Sequence, residues 1–194
     1  MQIGLFFGSF NPIHVGHLII ANTMATTTNL EQVWFVVSPQ NPFKKTKSLL
    51  HEFDRLDMVE RAIADNSRLK VTDIEFSMPK PSYTIDTLVR LGEKYPQHQF
   101  RLIMGEDNLA QFANWKNYGA ILDYYGLYVY PRPNRTGESS ESLFKTHPNV
   151  RLVAAPLLDI SATFIRENLR ANRSIRYMVP DVVEEMITRK KFYV

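Results

Sequence analysis

Two histidines three residues apart, His14 and His17, follow the turn-forming stretch Gly8-Ser9-Phe10-Asn11-Pro12, which itself follows the apolar run Ile3-Gly4-Leu5-Phe6-Phe7. On a helix, that spacing puts both imidazoles on one face. A buried strand that ends in a tight turn and enters a helix is a site for anionic phosphate oxygens. The first helical N–H groups lack intrahelical partners and lie at the positive end of the helix dipole, and imidazoles add neutral or cationic donors. Gly8 is expected to let a ligand approach the backbone. The same pair could instead be half of a zinc site or two structural histidines. Zinc is disfavoured because the chain has no cysteine and His51, His98 and His147 are scattered without ligand spacing. No Gly-Lys-Ser/Thr ending makes a P-loop, and the first turn lacks the dinucleotide glycine pattern.

A second stretch of the same kind lies far along the chain, at Ile160-Ser161-Ala162-Thr163-Phe164-Ile165-Arg166. Ser161 is a candidate N-cap, Thr163 falls in the first turn, and Arg166 stands three residues beyond Thr163 on the same side. Hydroxyls and a guanidinium at a helix start again suit phosphate.

The elements that must position these stretches follow a strand, helix, strand, helix rhythm. Strands are expected at residues 2–7, 33–37, 69–73, 100–104, 126–130 and 150–154, several as near-continuous apolar runs typical of a parallel sheet covered on both faces. Helices are expected over 15–28, 53–66, 85–94, 161–171 and 180–190, the second with an apolar face of Phe53, Leu56, Val59 and Ile63. The pattern predicts an α/β fold: one domain with a doubly wound, Rossmann-like, mostly parallel sheet and helices on both faces. Ligands of such sheets bind beyond the carboxyl ends of the strands, where the loops 38–50, 73–83, 105–115 and 155–161 should converge. Residues 131–142, rich in Pro, Gly, Ser and charge, are expected to form a loop.

The totals narrow the classes of function. At 194 residues, with 44% hydrophobic and 22% charged side chains, the chain can bury one sizeable core and is not composed like a disordered protein. Its 23 basic and 20 acidic residues leave a net charge of +3, mild for a nucleic-acid binder despite Lys44-Lys45 and Arg189-Lys190-Lys191. Without cysteine there can be no disulfide, cysteine nucleophile or thiolate metal site. No stretch has the apolar length of a membrane span or the form of a signal peptide, so a soluble cytoplasmic protein is expected, with no nucleic-acid or membrane partner.

The stretch GSFNPIHVGH resembles the first motif of the nucleotidylyltransferase superfamily, and ISATFIR resembles its second. Within it the chain is most similar to the bacterial nicotinate-nucleotide adenylyltransferases, through Asn41-Pro42-Phe43-Lys44, Pro81-Ser82-Tyr83-Thr84, Gly105-Glu106-Asp107, Trp115 and Val179-Pro180-Asp181. That resemblance implies transfer of adenylate from ATP to nicotinate mononucleotide, with Mg2+ carried on ATP and no metal held by the protein. It implies that His14, His17 and Arg166 act at the reacting phosphates. Gly8, Ser9, Phe10, Gly105, Asp107, Ile160, Ser161 and Thr163 would bind ATP, the C-terminal helices from about residue 161 completing the site. Lys44, Ser82, Tyr83, Thr84, Trp115 and Lys116 would bind the acceptor, Trp115 by stacking on the pyridine ring and the amides near Thr84 and Lys116 by meeting its carboxylate. Three positions depart from the family pattern: Asn11 stands where Asp is usual, Phe43 where His is frequent, and Lys116 where an aromatic is frequent. Other readings stay open at this point: an adenylyltransferase for nicotinamide mononucleotide or phosphopantetheine, a noncatalytic nucleotide-binding module, and assembly into a homo-oligomer.

Overall fold

The computed structural model describes residues 1–39, 49–133 and 143–194. Six parallel strands, β1 (Gln2–Gly8), β2 (Gln32–Val37), β3 (Leu69–Thr72), β4 (Gln99–Gly105), β5 (Leu127–Tyr130) and β6 (Val150–Leu152), form one sheet in the order β3-β2-β1-β4-β5-β6. The chain first builds outward from β1 to β3 and then returns to the other side of β1. The strand order therefore reverses between β1 and β4, which opens a crevice at their carboxyl ends.

Side chains along each strand alternate between two cores, as the period of two requires. Phe6, Val33, Phe35, Val37, Ile103, Tyr128 and Tyr130 enter one, under the helices α1 (Val15–Thr27), α2 (Glu52–Ala62), α6 (Ala162–Arg170) and α7 (Asp181–Lys190). Ile3, Leu5, Trp34, Val36, Leu102, Met104 and Val129 enter the other, under α3 (Thr84–Lys94), α4 (Glu106–Ala110) and α5 (Tyr118–Tyr124). This double burial explains why the strands read as continuous apolar runs. The first helix stops where three β-branched hydroxyls fold back on it: Thr26 donates to Asn22 O, Thr27 to Thr23 O and Thr28 to Met24 O, at 2.6–2.8 Å.

All six expected strands are present, with ends shifted by one or two residues. Three local expectations need correction. The expected face of helix α2 reaches the core through Leu56, Val59 and Ile63, but Phe53 is 59% exposed and Arg55 and Met58 are buried beside that face. The short helices α4 and α5 were not expected as elements, because five and seven residues carry too little periodicity to register. Helix α1 begins at Val15 as expected, which leaves His14 ahead of it as N-cap with extended backbone and not on the helix with His17. Among the described residues no helix is long and apolar enough to cross a membrane.

Candidate active site

The turn after β1 is built around its aromatic side chain. Phe10 takes a positive φ of 45°, which brings its ring back under the strand end, 2% exposed and edge-on to Phe6, Phe35 and His17. A Cβ on Gly8 would lie 2.8 Å from that ring. The Phe10 ring by itself thus excludes a side chain at position 8, and Phe10, its ring buried, offers a ligand only its backbone. The ring instead props His17 from below, at 5.0 Å between centroids.

His14 and His17 stack, with centroids 3.7 Å apart and planes 24° from parallel. The backbone N–H of His14 donates to Nδ1 of His17 at 3.3 Å. An accepting Nδ1 places the proton of the neutral ring on Nε2. Nδ1 of His14 is buried without a hydrogen-bond partner. Burial, and then the positive charge of Arg132, pull the His14 pKa down to about 4. His17 lies well below its usual value through burial, then the neighbouring His14 and Arg132. Both rings are therefore neutral at pH 7, which resolves the alternative of cationic donors.

These depressions fix how stability depends on pH. The unfolded histidines bind protons near pH 6.5 and the folded ones do so only much lower, so between those values the unfolded state holds more protons. The folded state keeps its full advantage above about pH 6.5 and loses it as pH falls toward 4. For His14 the loss is on the order of 3 kcal/mol. Urea unfolding at pH 7.5 and 4.5 should show it, with two of the five imidazoles staying neutral by NMR across most of that window.

The second motif meets the first directly. Ser161 caps α6 by accepting from Phe164 N–H at 3.2 Å, as its sequence position predicts. Arg166, 9% exposed, reaches across the chain: Nη1 donates to Asn11 O at 2.7 Å and Nη2 to Thr163 Oγ1 at 3.2 Å, while the buried Nε has no partner. It is not a solvated helix charge. Thr163 itself is exposed. Ile160 lies against the first turn of α1 so closely that a Cβ on Gly16 would stand 2.6 Å from it. The side chain of Asn11 also accepts, through Oδ1, from Leu50 N–H at 3.2 Å and from Tyr193 O–H at 2.9 Å. An amide thus suffices where the family pattern has a carboxylate, since the position works here as an acceptor between segments.

A narrow cleft opens between the motifs, lined by His14, His17 and Ile160 with Tyr130, Arg132 and Pro156 among its other walls. Gly105 is the N-cap of α4, and Asp107 lies inside that helix, not at its cap. The Asp107 carboxylate faces Arg132 Nε at 3.6 Å, and Cβ substitution at Gly105 would strike both side chains. Arg132 was not identified from sequence. It lay at the edge of the expected 131–142 loop, whose residues 134–142 fall outside the described residues.

On the other side of the sheet the expected acceptor residues gather at the start of α3. Tyr83 is its N-cap, and Thr84 N–H is one of the first-turn donors with no partner within the helix. Lys116 sits 4.8 Å over the Tyr83 ring and pairs with Asp86 at 2.8 Å, which joins Trp115-Lys116 to that helix start. Trp115 is half-buried against Phe112, at 5.7 Å. The Ser82 hydroxyl donates to the buried Glu75 carboxylate at 2.9 Å, as does Thr87 at 2.7 Å, so it supports the loop instead of facing a ligand. Lys44 and Phe43 lie outside the described residues.

Comparison with known proteins places this geometry. The cytidylyltransferase-like family model matches residues 5–168, which include both motifs. A probable nicotinate-nucleotide adenylyltransferase of Cytophaga hutchinsonii is 66% identical over 193 residues, covering 100% of this chain and 98% of the relative. One of the same name from Flavobacterium psychrophilum is 48% identical, covering 100% and 99%. Among solved structures, the Plasmodium falciparum nicotinic acid mononucleotide adenylyltransferase complexed with NaAD has the same fold, with TM-score 0.82 at 20% identity over 99% of this chain and 97% of that one. With both motifs meeting at the switch point of a sheet ordered 3-2-1-4-5-6, and relatives matched end to end, the chain belongs to the cytidylyltransferase-like family, among its nicotinate-nucleotide adenylyltransferases.

Proposed function

We propose that the chain transfers adenylate from ATP to nicotinate mononucleotide, forming deamido-NAD and pyrophosphate in NAD biosynthesis. The observation that carries this reading is the junction of two helix starts, where neutral His14 and His17 stand beside the Ser161–Arg166 segment through the Arg166–Asn11 bond. The full-length relatives supply the acceptor.

The acceptor phosphate is a nucleophile as it stands and needs no general base. One of its oxygens bonds to the α-phosphorus as the bond to the bridging oxygen breaks, and the electron pair leaves with pyrophosphate. Catalysis then rests on alignment and on donors aimed at the developing charge. The Nε2–H of His17 donates to an α-phosphate oxygen, and His14 lies beside it. Ser161, Thr163 and Arg166 hold the β and γ phosphates as they become the leaving group. Backbone of Gly8, Ser9 and Phe10 faces the phosphates, while Gly105, Asp107, Ile160 and Arg132 bound the adenosine. Neutral histidines suit this role, because a donor that never titrates near pH 7 keeps its proton on the phosphate side.

Among the described residues no three His, Asp or Glu side chains stand together as a metal site. The donor set fits Mg2+ as an ion carried on the triphosphate oxygens, which Ser161, Thr163 and Arg166 hold. When bound it neutralises phosphate charge. The amides of Thr84 and Lys116, with Trp115 against the ring, select an acceptor bearing a carboxylate.

An acceptor panel tests the reading. With ATP and magnesium, nicotinate mononucleotide should release pyrophosphate at least about tenfold faster than its amide or phosphopantetheine, the cost of leaving aimed amides unpaired. Equal rates with the amide would remove the carboxylate-recognition part of the account.

A further inference from the structure

Arg55 lies in the middle of α2 and is wholly buried. Its guanidinium donates to four backbone carbonyls: Nη1 to Ser9 O at 2.6 Å and Ser38 O at 2.8 Å, Nη2 to Pro39 O at 3.1 Å, and Nε to Leu50 O at 2.9 Å. Among the described residues none of its hydrogen bonds is to a carboxylate. A buried guanidinium without an ion-pair partner is costly, and an apolar side chain of similar length would fill the same space at less cost. What only an arginine supplies there is a planar fork that fixes several carbonyls at once.

Those carbonyls belong to the segments that shape the site. Ser9 is in the turn leading to His14. Ser38 follows β2, donates its N–H to Gly8 O at 2.9 Å, and has its side chain near enough to Glu75 to favour that carboxylate's charged form. Glu75 in turn receives Ser82 and Thr87 from the acceptor side. Leu50 carries the N–H that Asn11 accepts. One guanidinium thus sits where the donor-side turn, the exit of β2 and the entry to α2 meet. It does not line the cleft itself.

We infer that Arg55 is a positioning residue for adenylate transfer: it holds the Ser9 turn and the residues leaving β2 in the register that aligns donor and acceptor phosphates, and touches neither substrate. This rests on the function proposed above.

Arg55→Lys keeps the charge but cannot serve four carbonyls, and Arg55→Ala leaves a cavity of guanidinium shape. In Arg55→Lys we expect kcat to fall about tenfold or more and the KM values to change less, since misplacement by about 1 Å already costs rate steeply. In Arg55→Ala, guanidinium chloride at about 20 mM, far below denaturing concentration, should restore kcat several-fold, whereas methylammonium should not. If Arg55→Ala does not fold, Arg55→Lys decides. Amide hydrogen exchange in residues 8–11 should also rise in Arg55→Lys, a readout independent of turnover. If the unaltered protein makes no dinucleotide, the functional reading fails, and exchange together with ATP affinity still decides for Arg55. Wild-type kcat and exchange in Arg55→Lys would overturn the inference, as would a folded Arg55→Ala that guanidinium does not rescue.

Discussion

His17→Ala should lower kcat by a factor of about 10² to 10³, the usual loss when one preoriented donor to a developing oxyanion is removed. The ring is held for this task by its surroundings. Phe10 meets it edge-on at 5.0 Å, Phe6 edge-on at 6.0 Å, and His14 stacks on it at 3.7 Å. The His14 N–H fixes its Nδ1 as acceptor. Removal should also cost stability, on the order of 2 kcal/mol from lost packing. That is too little to unfold an ordinary domain. The ratio between the two effects is the informative quantity. Steady-state kinetics alongside thermal unfolding separates them, and a kcat near wild type with a lowered melting temperature would make His17 structural.

Arg166 should show both effects strongly. Arg166→Ala removes a charged donor from the Asn11 carbonyl and leaves that oxygen short of a partner, a loss on the order of 2 kcal/mol. It also disconnects the Ser161–Arg166 segment from the turn that carries the histidines, so kcat should fall about 10²-fold or more and the KM for ATP should rise. Arg166→Lys discriminates two roles. If charge at the leaving pyrophosphate were all that mattered, lysine would keep most of the rate. A single ammonium cannot occupy the place of Nη1 on Asn11 and Nη2 on Thr163 while also meeting phosphate. Lysine should therefore recover less than a tenth of the lost kcat, about one factor of ten being what a single hydrogen bond is worth. Recovery to near wild type would reduce the residue to a point charge.

The sheet was legible in the sequence because its burial is symmetrical: Val33 through Val37 reads as strand since Val33, Phe35 and Val37 enter one core and Trp34 and Val36 the other. The two motifs were legible because helix starts, hydroxyls and histidine spacing are local signals. What holds the site together was not. Arg55 resembles a solvated charge beside an apolar stripe, and only the packing of α2 on the loops shows that the helix turns it inward. Phe53 continues the apolar stripe of Leu56, Val59 and Ile63 in the sequence, and a local pattern does not say at which turn that stripe leaves the core. The need for Gly8 under the Phe10 ring two residues later is equally invisible in the local pattern. Tyr193 reaches Asn11 across 182 positions, and Glu75 gathers Ser82 and Thr87 in a network that has no sequence pattern. These are long-range polar contacts to particular backbone and side-chain atoms, and periodicity carries no information about them.

In the proposed reaction the adenylyl group of ATP, adenosine with its α-phosphorus, passes whole to the acceptor phosphate. Incubation with magnesium, nicotinate mononucleotide and ATP labelled either at the α or at the γ phosphorus tests it directly. The expected result is α label in a dinucleotide and γ label in pyrophosphate, in equal amounts. Label from the γ position in the nucleotide product, or ATP bound with no dinucleotide formed at saturating protein, would contradict it.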